Sequence, residues 1–375
     1  MDFNLTEERQ MLQDSLRRFL TDRYDTNVRN EILESDRGMS ARIWGELAEL
    51  GVIGALFTEE QGGFGGKGFD ISVVFEELGR AGVVEPMLDT AILGGGLLAR
   101  LGNEEQRALV EEVIAGSLHL ALAHGEPAAR YDLSRVETTA KPDGDKVVLN
   151  GRKAVVVNAE AAGYLIVSAR ESGGVFESEG ISLFLVPADA QGLTLRGYPM
   201  MSGGRAAEVT LDNVSVPQLA RLGAAGRGYG ALQDVIAAAN VALAAETMGA
   251  MQSATELTRD YLMTRKQFGR PIGTFQALAH RFSDLLIELE QARSAVINAA
   301  GHLESTERDR QIAAARNLIS RVGRLVAEES IQMHGGIAMT QEYELAHIAK
   351  RIVMADHRFG DADYHLERFI DLGAA

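Results

Sequence analysis

The chain has 375 residues, 46% of them hydrophobic, and no cysteine. That length supports a large buried core shared by two or three subdomains. The lack of cysteine excludes disulfides, thiolate metal sites and a cysteine nucleophile, so any redox chemistry belongs to a bound cofactor; no metal site is expected. With 37 basic against 53 acidic residues the net charge is −16, which disfavours nucleic-acid binding but leaves room for a local basic patch holding one phosphorylated ligand. No apolar run reaches the roughly 18 residues of a membrane span. The start, Met1-Asp2-Phe3-Asn4-Leu5-Thr6-Glu7-Glu8, has neither the basic residues nor the apolar stretch of a signal peptide, so a cytoplasmic location is expected.

From Thr6 to about Leu120 apolar residues recur at spacings of three and four: Met11, Leu12, Leu16, Phe19 and Leu20, then Trp44, Leu47 and Leu50, then Leu98, Leu101, Val110, Val113 and Ile114. This is the period of helices with one buried face. The glycine-dense stretch Thr58-Glu59-Glu60-Gln61-Gly62-Gly63-Phe64-Gly65-Gly66 precedes a helix expected around Ile71 to Leu78. No strand leads into it, as a phosphate-binding βαβ turn requires, so it reads as a structural loop.

The pattern changes near His119. Lys146–Lys153, Tyr164–Ser168, Ile181–Val186 and Glu208–Pro217 are alternating or β-branched runs, and they predict a small β-domain of about seven or eight strands. Asp143-Gly144 and Asn150-Gly151 read as turns between strands. The stretch Glu171 to Gly180 is the candidate flexible insert. Beyond Gly230 the helical period returns. One long helix is expected from Leu232 to Arg265, with three more over Phe275 to His302, Asp309 to Gly335 and Tyr343 to Phe369. Neither an internal repeat nor a low-complexity tract interrupts this order.

The stretch richest in information is Arg265-Lys266-Gln267-Phe268-Gly269-Arg270-Pro271-Ile272-Gly273-Thr274-Phe275-Gln276, followed about sixty residues later by Gln332-Met333-His334-Gly335-Gly336-Ile337-Ala338-Met339-Thr340. Arg265 closes the long helix at a corner, where a planar guanidinium suits a pyrophosphate gripped through two parallel hydrogen bonds. A lone arginine there would equally pair with a surface carboxylate. Gly335-Gly336 marks a break between helices that exposes backbone.

Together these segments resemble the paired signatures of the acyl-CoA dehydrogenase family, a resemblance that runs from Phe3 to Phe369. It implies a mostly α fold with a central β-domain: an N-terminal helical domain over residues 1–118, a small β-barrel or sandwich over 119–226, and a C-terminal four-helix bundle over 227–375. It implies FAD, with Arg265, Gln267, Phe268 and Gln276 against the adenosine and pyrophosphate half and Gln332, Gly335 and Gly336 near the adenosine diphosphate. In the family these elements reach across a dimer interface to a flavin held mainly by the neighbouring subunit. The reaction implied is α,β-dehydrogenation of an acyl-CoA, with an electron-transferring flavoprotein as acceptor.

Other positions depart from the family pattern. The Thr-Glu-Pro-x-x-Gly-Ser-Asp loop that holds the flavin ring in the same subunit corresponds here to Gly125-Glu126-Pro127-Ala128-Ala129-Arg130-Tyr131-Asp132, and the Trp-x-Thr strand to Val155-Val156-Val157. The usual Glu-Gly-Thr-x-Gln becomes Phe359-Gly360-Asp361-Ala362-Asp363, so the glutamate that abstracts the substrate proton is replaced by a phenylalanine. At the family's other location for that base, a Glu-Arg pair, stands Ala239-Asn240. Glu246, two turns on, and Asp361 are the remaining carboxylate candidates, although Asp361 or Asp363 suits a helix cap and Glu246 a buried structural hydrogen bond. His334, His347, His357 and His365 are scattered, with His357 and Arg358 close to the lost position.

Three readings stay open. The chain is a subunit of a hetero-oligomer that completes a partner's flavin site, like the small subunit of bacterial pimeloyl-CoA-type dehydrogenases. Or it is a self-sufficient homo-oligomer with a relocated base, or a non-catalytic assembly module that kept the fold. In each, the apolar positions of the long helix, Ile236, Val241, Leu243, Met248 and Met251 on one side and Leu257, Tyr261 and Leu262 on another, are expected at the oligomer interface.

Overall fold

The computed structural model describes residues 5–374, so the first residues of the expected resemblance and of the amino-terminal stretch read above lie outside the described residues. Six helices come first: α1 (Glu7–Arg23), α2 (Thr26–Glu34), α3 (Ala41–Glu49), α4 (Gly68–Ala81), α5 (Gly96–Leu101) and α6 (Glu104–Ile114). Their starts follow from side-chain oxygens that accept otherwise unpaired N–H groups. Thr6 caps α1, Ser40 caps α3, and Asn103 forms a reciprocal box with Gln106 at α6. Residues Leu88–Gly95, entering α5, are wound as a π-helix. There a Cβ on Gly94 would lie 2.5 Å from the Leu120 side chain and one on Gly95 would lie 2.6 Å from the Phe57 ring. The glycine-dense loop is structural, since a Cβ on Gly63 would meet the carbonyl oxygens of Gly54 and Phe57 at 2.3 Å.

Eight strands follow: β1 (Leu120–Ala123), β2 (Thr139–Asp143), β3 (Lys146–Val157), β4 (Tyr164–Arg170), β5 (Ile181–Pro187), β6 (Leu193–Pro199), β7 (Arg205–Pro217) and β8 (Arg221–Leu222). They form one mixed sheet in the order β6-β7-β3-β2-β4-β5-β8, with β1 parallel to β4. Gly144, at φ 64°, turns the β2–β3 hairpin as expected. Asn150-Gly151 does not turn the chain. It lies inside β3 at a register shift against β7, and glycine is required because a Cβ at 151 would lie 2.4 Å from the Thr138 hydroxyl. The segment expected to be a flexible insert is tied down: the Arg170 guanidinium donates to the carbonyls of Ser172, Val175, Glu177 and Glu179 at 2.9–3.3 Å.

A polar knot sits inside this sheet. The Lys153 ammonium, 0% exposed, donates to Glu126 Oε1 (2.7 Å), Ser168 Oγ (3.0 Å) and the His124 carbonyl (3.3 Å). Glu126 also accepts from the Glu137 and Thr138 N–H groups and the Thr138 hydroxyl. The network satisfies the buried pair, the condition under which two charges tolerate removal from water.

The rest is helical apart from one short hairpin: α7 (Tyr229–Thr264), α8 (Gln276–Gly301), α9 (Arg308–His334), α10 (Glu344–Ala355) and α11 (Ala362–Ala374). The single helix expected over Tyr343 to Phe369 is thus two, split where Phe359 and Gly360 take φ values of 60° and 124°. Hydrophobic periodicity carries straight through such a break because it records which face is buried, not backbone handedness. The α7 residues assigned above to an oligomer interface are mostly core: Ile236, Val241, Leu243, Met248, Met251 and Leu262 are all buried within the chain. Exposed apolar side chains include Leu286 and Ile287 on α8, Leu325 on α9, Val353 on α10 and, at the end of α7, Met263.

Two compact units result, each discontinuous. One comprises the chain up to Glu31, Lys67–Val83 and the chain from Asn240; the other comprises Ile32–Gly66 and Val84–Ala239. In the first, α4 and α7 meet backbone to backbone. A Cβ on Gly79 would lie 1.9 Å from the Glu246 carbonyl oxygen, and one on Gly249 1.9 Å from that of Glu76. Gly249→Ala is expected to force the helices apart and cost about 1–3 kcal/mol, read as a lower urea midpoint. An unchanged midpoint would show that the crossing yields freely.

The sheet's knot predicts a pH response. Burial, then the Lys153 ammonium, pushes His124 down to about 3. The folded chain therefore keeps this ring neutral where the unfolded chain, at about 6.5, protonates it. Because the unfolded state binds the extra proton, stability falls as pH drops through that window. His124→Asn should lose about 2 kcal/mol less than the parent between about pH 7 and about pH 5 in urea titrations, and equal losses would remove His124 as a source of acid sensitivity.

Candidate active site

The chain turns sharply after α7. Lys266–Gln267 and Arg270–Pro271 pair as a two-residue hairpin whose central residues, Phe268 and Gly269, both lie at positive φ (53° and 80°), the geometry a tight hairpin needs. Phe268 is 91% exposed and meets Phe275 edge-on at 6.1 Å, while Arg270 lies over the Phe275 ring at 4.2 Å. Arg265, Gln267 and Gln276 are exposed as well, and the Arg265 guanidinium has no ion pair among the described residues. Gln332, Gly335 and Gly336 are exposed at the end of α9, with nothing within 4 Å of a Cβ placed on either glycine.

These two segments share one end of the helical unit. Tyr261, one turn before Arg265, stacks on His334 with ring centroids 4.5 Å apart, and His334 immediately precedes Gly335. His334 is itself fixed by the Ser330 carbonyl (2.8 Å) and the Tyr343 hydroxyl (3.1 Å). The result is a solvent-facing cluster of a free guanidinium, amide side chains, an aromatic edge and bare backbone. Such a set suits a phosphorylated, aromatic ligand.

The loop between α10 and α11 is built around Arg316, a residue that no motif singles out. Its Nη2 donates to the carbonyls of Ala355 (3.1 Å), Arg358 (2.9 Å) and Gly360 (3.3 Å), and Asn317 donates to the Ala362 carbonyl (2.9 Å). Asp361 accepts the Tyr364 N–H at 2.9 Å and so caps α11, while Asp363 is exposed in its first turn. Gly360 is dictated by space, since a Cβ there would lie 2.3 Å from the Tyr364 ring and 2.6 Å from His365 Nε2. Burial first, then Arg316 and Arg368, pushes His365 down to about 3, so it stays neutral. Phe359 is half-buried beneath the Arg358 guanidinium at 4.8 Å.

Ala239 is fully buried in α7 and Asn240 nearly so. Glu246 is committed, with Oε1 accepting both Nε (2.7 Å) and Nη2 (2.5 Å) of Arg351, whose Nη1 also reaches the Gly82 carbonyl. This carboxylate is engaged as the structural partner of Arg351. In the other unit, Glu126 is consumed by the buried knot and Asp132 accepts from the Ser134 amide and hydroxyl. Val155 is 59% exposed at φ 53°, an unusual conformation for a β-branched side chain, and its N–H points to Glu208 Oε1 (3.4 Å), which also accepts from the Tyr198 hydroxyl (2.9 Å). This local geometry is invisible in a run of three valines.

Family models match nearly the whole chain: the acyl-CoA dehydrogenase N-terminal domain over residues 6–116, the middle domain over 121–214 and the C-terminal domain over 226–369. The probable acyl-CoA dehydrogenase YngJ of Bacillus subtilis is 29% identical over 99% of this chain and 98% of its own length. Among solved structures, a variant of the Tcur3481-Tcur3483 steroid ACAD is 32% identical with a TM-score of 0.88, covering 98% of each chain. The butyryl-CoA dehydrogenase of Megasphaera elsdenii is 26% identical with a TM-score of 0.91 over the full length of both chains. An FAD complex of PigA is 27% identical with a TM-score of 0.91, covering 100% of this chain and 99% of that one. The chain belongs to the acyl-CoA dehydrogenase family of FAD-dependent oxidoreductases.

Proposed function

We propose that this chain is the subunit of a hetero-oligomeric acyl-CoA dehydrogenase that completes a partner's flavin site and leaves proton abstraction to that partner. The observation that carries the reading is the absence of an available carboxylate where the family places its base. Phe359 and Ala239 hold those two positions, Glu246 is bound by Arg351 and Asp361 caps α11. Dehydrogenation beside a thioester carbonyl needs a carboxylate within hydrogen-bond reach of the α-proton, and bound FAD supplies the acceptor for the β-hydride.

The residues fit one half of that cofactor and not the other. Arg265, Gln267, Phe268, Gln276, Gln332 and the Gly335-Gly336 backbone, all exposed, offer a grip for the adenosine diphosphate half. The chain's own sheet offers the flavin ring an exposed valine beside the Glu208 carboxylate, with neither aromatic cover nor a threonine hydroxyl. The two-component name of the Tcur3481-Tcur3483 enzyme supports the same reading. The caffeyl-CoA reductase-Etf complex subunit CarC of Acetobacterium woodii, 28% identical over 91% of the chain, supports an electron-transferring flavoprotein as the redox partner. We place the assembly in the cytoplasm; among the described residues no helix is long and apolar enough to cross a membrane.

Arg265→Ala in this chain, co-expressed with a dehydrogenase-like partner, should leave the assembly intact but weaken FAD retention about tenfold or more, the effect of losing a charge-assisted hydrogen bond to phosphate. Flavin content after gel filtration reads the result. Undiminished flavin in an intact assembly would show that Arg265 does not serve the partner's site.

A further inference from the structure

A cleft of about 240 Å³ opens within the helical unit, away from the hairpin, and three guanidinium groups line it: Arg17 on α1, Arg29 on α2 and Arg80 on α4. Two of them are engaged. Arg17 donates to both oxygens of Glu77 at 2.9 and 2.5 Å, and Arg80 to both oxygens of Glu256 at 3.0 and 2.5 Å. Arg29 is not. The residue is only 8% exposed, and its guanidinium makes no hydrogen bond or ion pair with any described residue.

The remaining carboxylates of the lining are Asp25 and Glu344, and Glu344 attracts Arg29 through space without bonding it. Asp25 accepts the Val28 N–H at the head of α2 (2.9 Å), and Glu344 on α10 accepts the Thr26 hydroxyl (3.1 Å). Arg351, spent on Glu246 and the Gly82 carbonyl, adds repulsion. Burial first and Arg351 second push Arg29 down to about 10, so it remains a cation at neutral pH. A buried cation is ordinarily paired or hydrogen-bonded, and a guanidinium presents a planar fork of donors that matches an oxyanion. Thr21 and Ser253 bring hydroxyls to the same lining.

We propose that this cleft is a binding site for a small oxyanion, the phosphate or carboxylate group of a metabolite, gripped by the fork of Arg29. Occupation would tie α2 to α4, α7 and α10 and give the Arg29 fork the direct hydrogen-bonded partner that no described residue supplies. The site is separate from the flavin-facing hairpin, so its fate is independent of the reading above.

Inorganic phosphate and acetate, each titrated into the full chain at constant ionic strength against chloride, test it by thermal unfolding. One or both should raise Tm in the parent, the larger shift telling phosphate from carboxylate chemistry. Arg29→Met should abolish the shift, and Arg29→Lys, which keeps the charge but not the fork, should weaken binding about tenfold and covers the case in which the methionine variant fails to fold. No rise beyond chloride in the parent, or an equal rise in the variants, would overturn the proposal.

Discussion

The helical unit depends on one contact, the approach of α4 to α7 with no side chain between them. Gly79 against the Glu246 carbonyl and Gly249 against that of Glu76 fix the distance and register of the two helices, because any Cβ at either point would collide with backbone. Charged groups then brace the crossing from its edges. Arg80 of α4 reaches Glu256 of α7, and Arg293 of α8 reaches Glu76 of α4 (2.7 Å) and Gln252 of α7 (2.7 Å). Arg351 of α10 spans Glu246 and the last turn beyond α4. Glu246, two turns along α7 from the expected base position, is therefore part of the brace.

Much of this was legible in the chain. Hydrophobic period and glycine placement located most of the helices, the strands and the corner after Arg265, and the paired signatures at Arg265 and Gly335 pointed to the family. What the sequence hid is instructive. The break at Phe359-Gly360 was missed because apolar spacing does not register backbone handedness, and Asn150-Gly151 looked like a turn because its real constraint, the nearness of Thr138, comes from a neighbouring strand. The apolar load of α7 was credited to an interface because a helix buried on most of its faces and one shared between subunits read alike. Arg316 and Arg29 look like any other arginine in the sequence; only burial distinguishes them.

The pattern of what matches the family and what does not has a physical logic. Glu126 and Lys153 hold each other inside the sheet, and removing either would leave an uncompensated buried charge, at a cost of about 3–5 kcal/mol. Their presence therefore reflects folding and says nothing about flavin binding. Val155, exposed on the surface, answers to no such requirement, so a flavin-covering aromatic can be absent there without cost to the core. Phe359 is similar: the Arg316 anchor, the Gly360 spacing and the Asp361 cap shape its loop whatever side chain sits at 359. The cluster at Arg265 and Gly335 stays exposed and intact while these positions depart, the pattern that the proposed sharing of a site between unlike subunits would produce.

The most direct test of that account is the visible absorption spectrum of this chain purified alone, with the flavin-to-chain ratio measured after denaturation. The account predicts a folded, oligomeric protein that is colourless, and that acquires flavin only together with a partner carrying the ring site and the base. A stoichiometric flavin on the chain alone, bleached by an acyl-CoA, would contradict it and return the search for the base to this chain's own carboxylates.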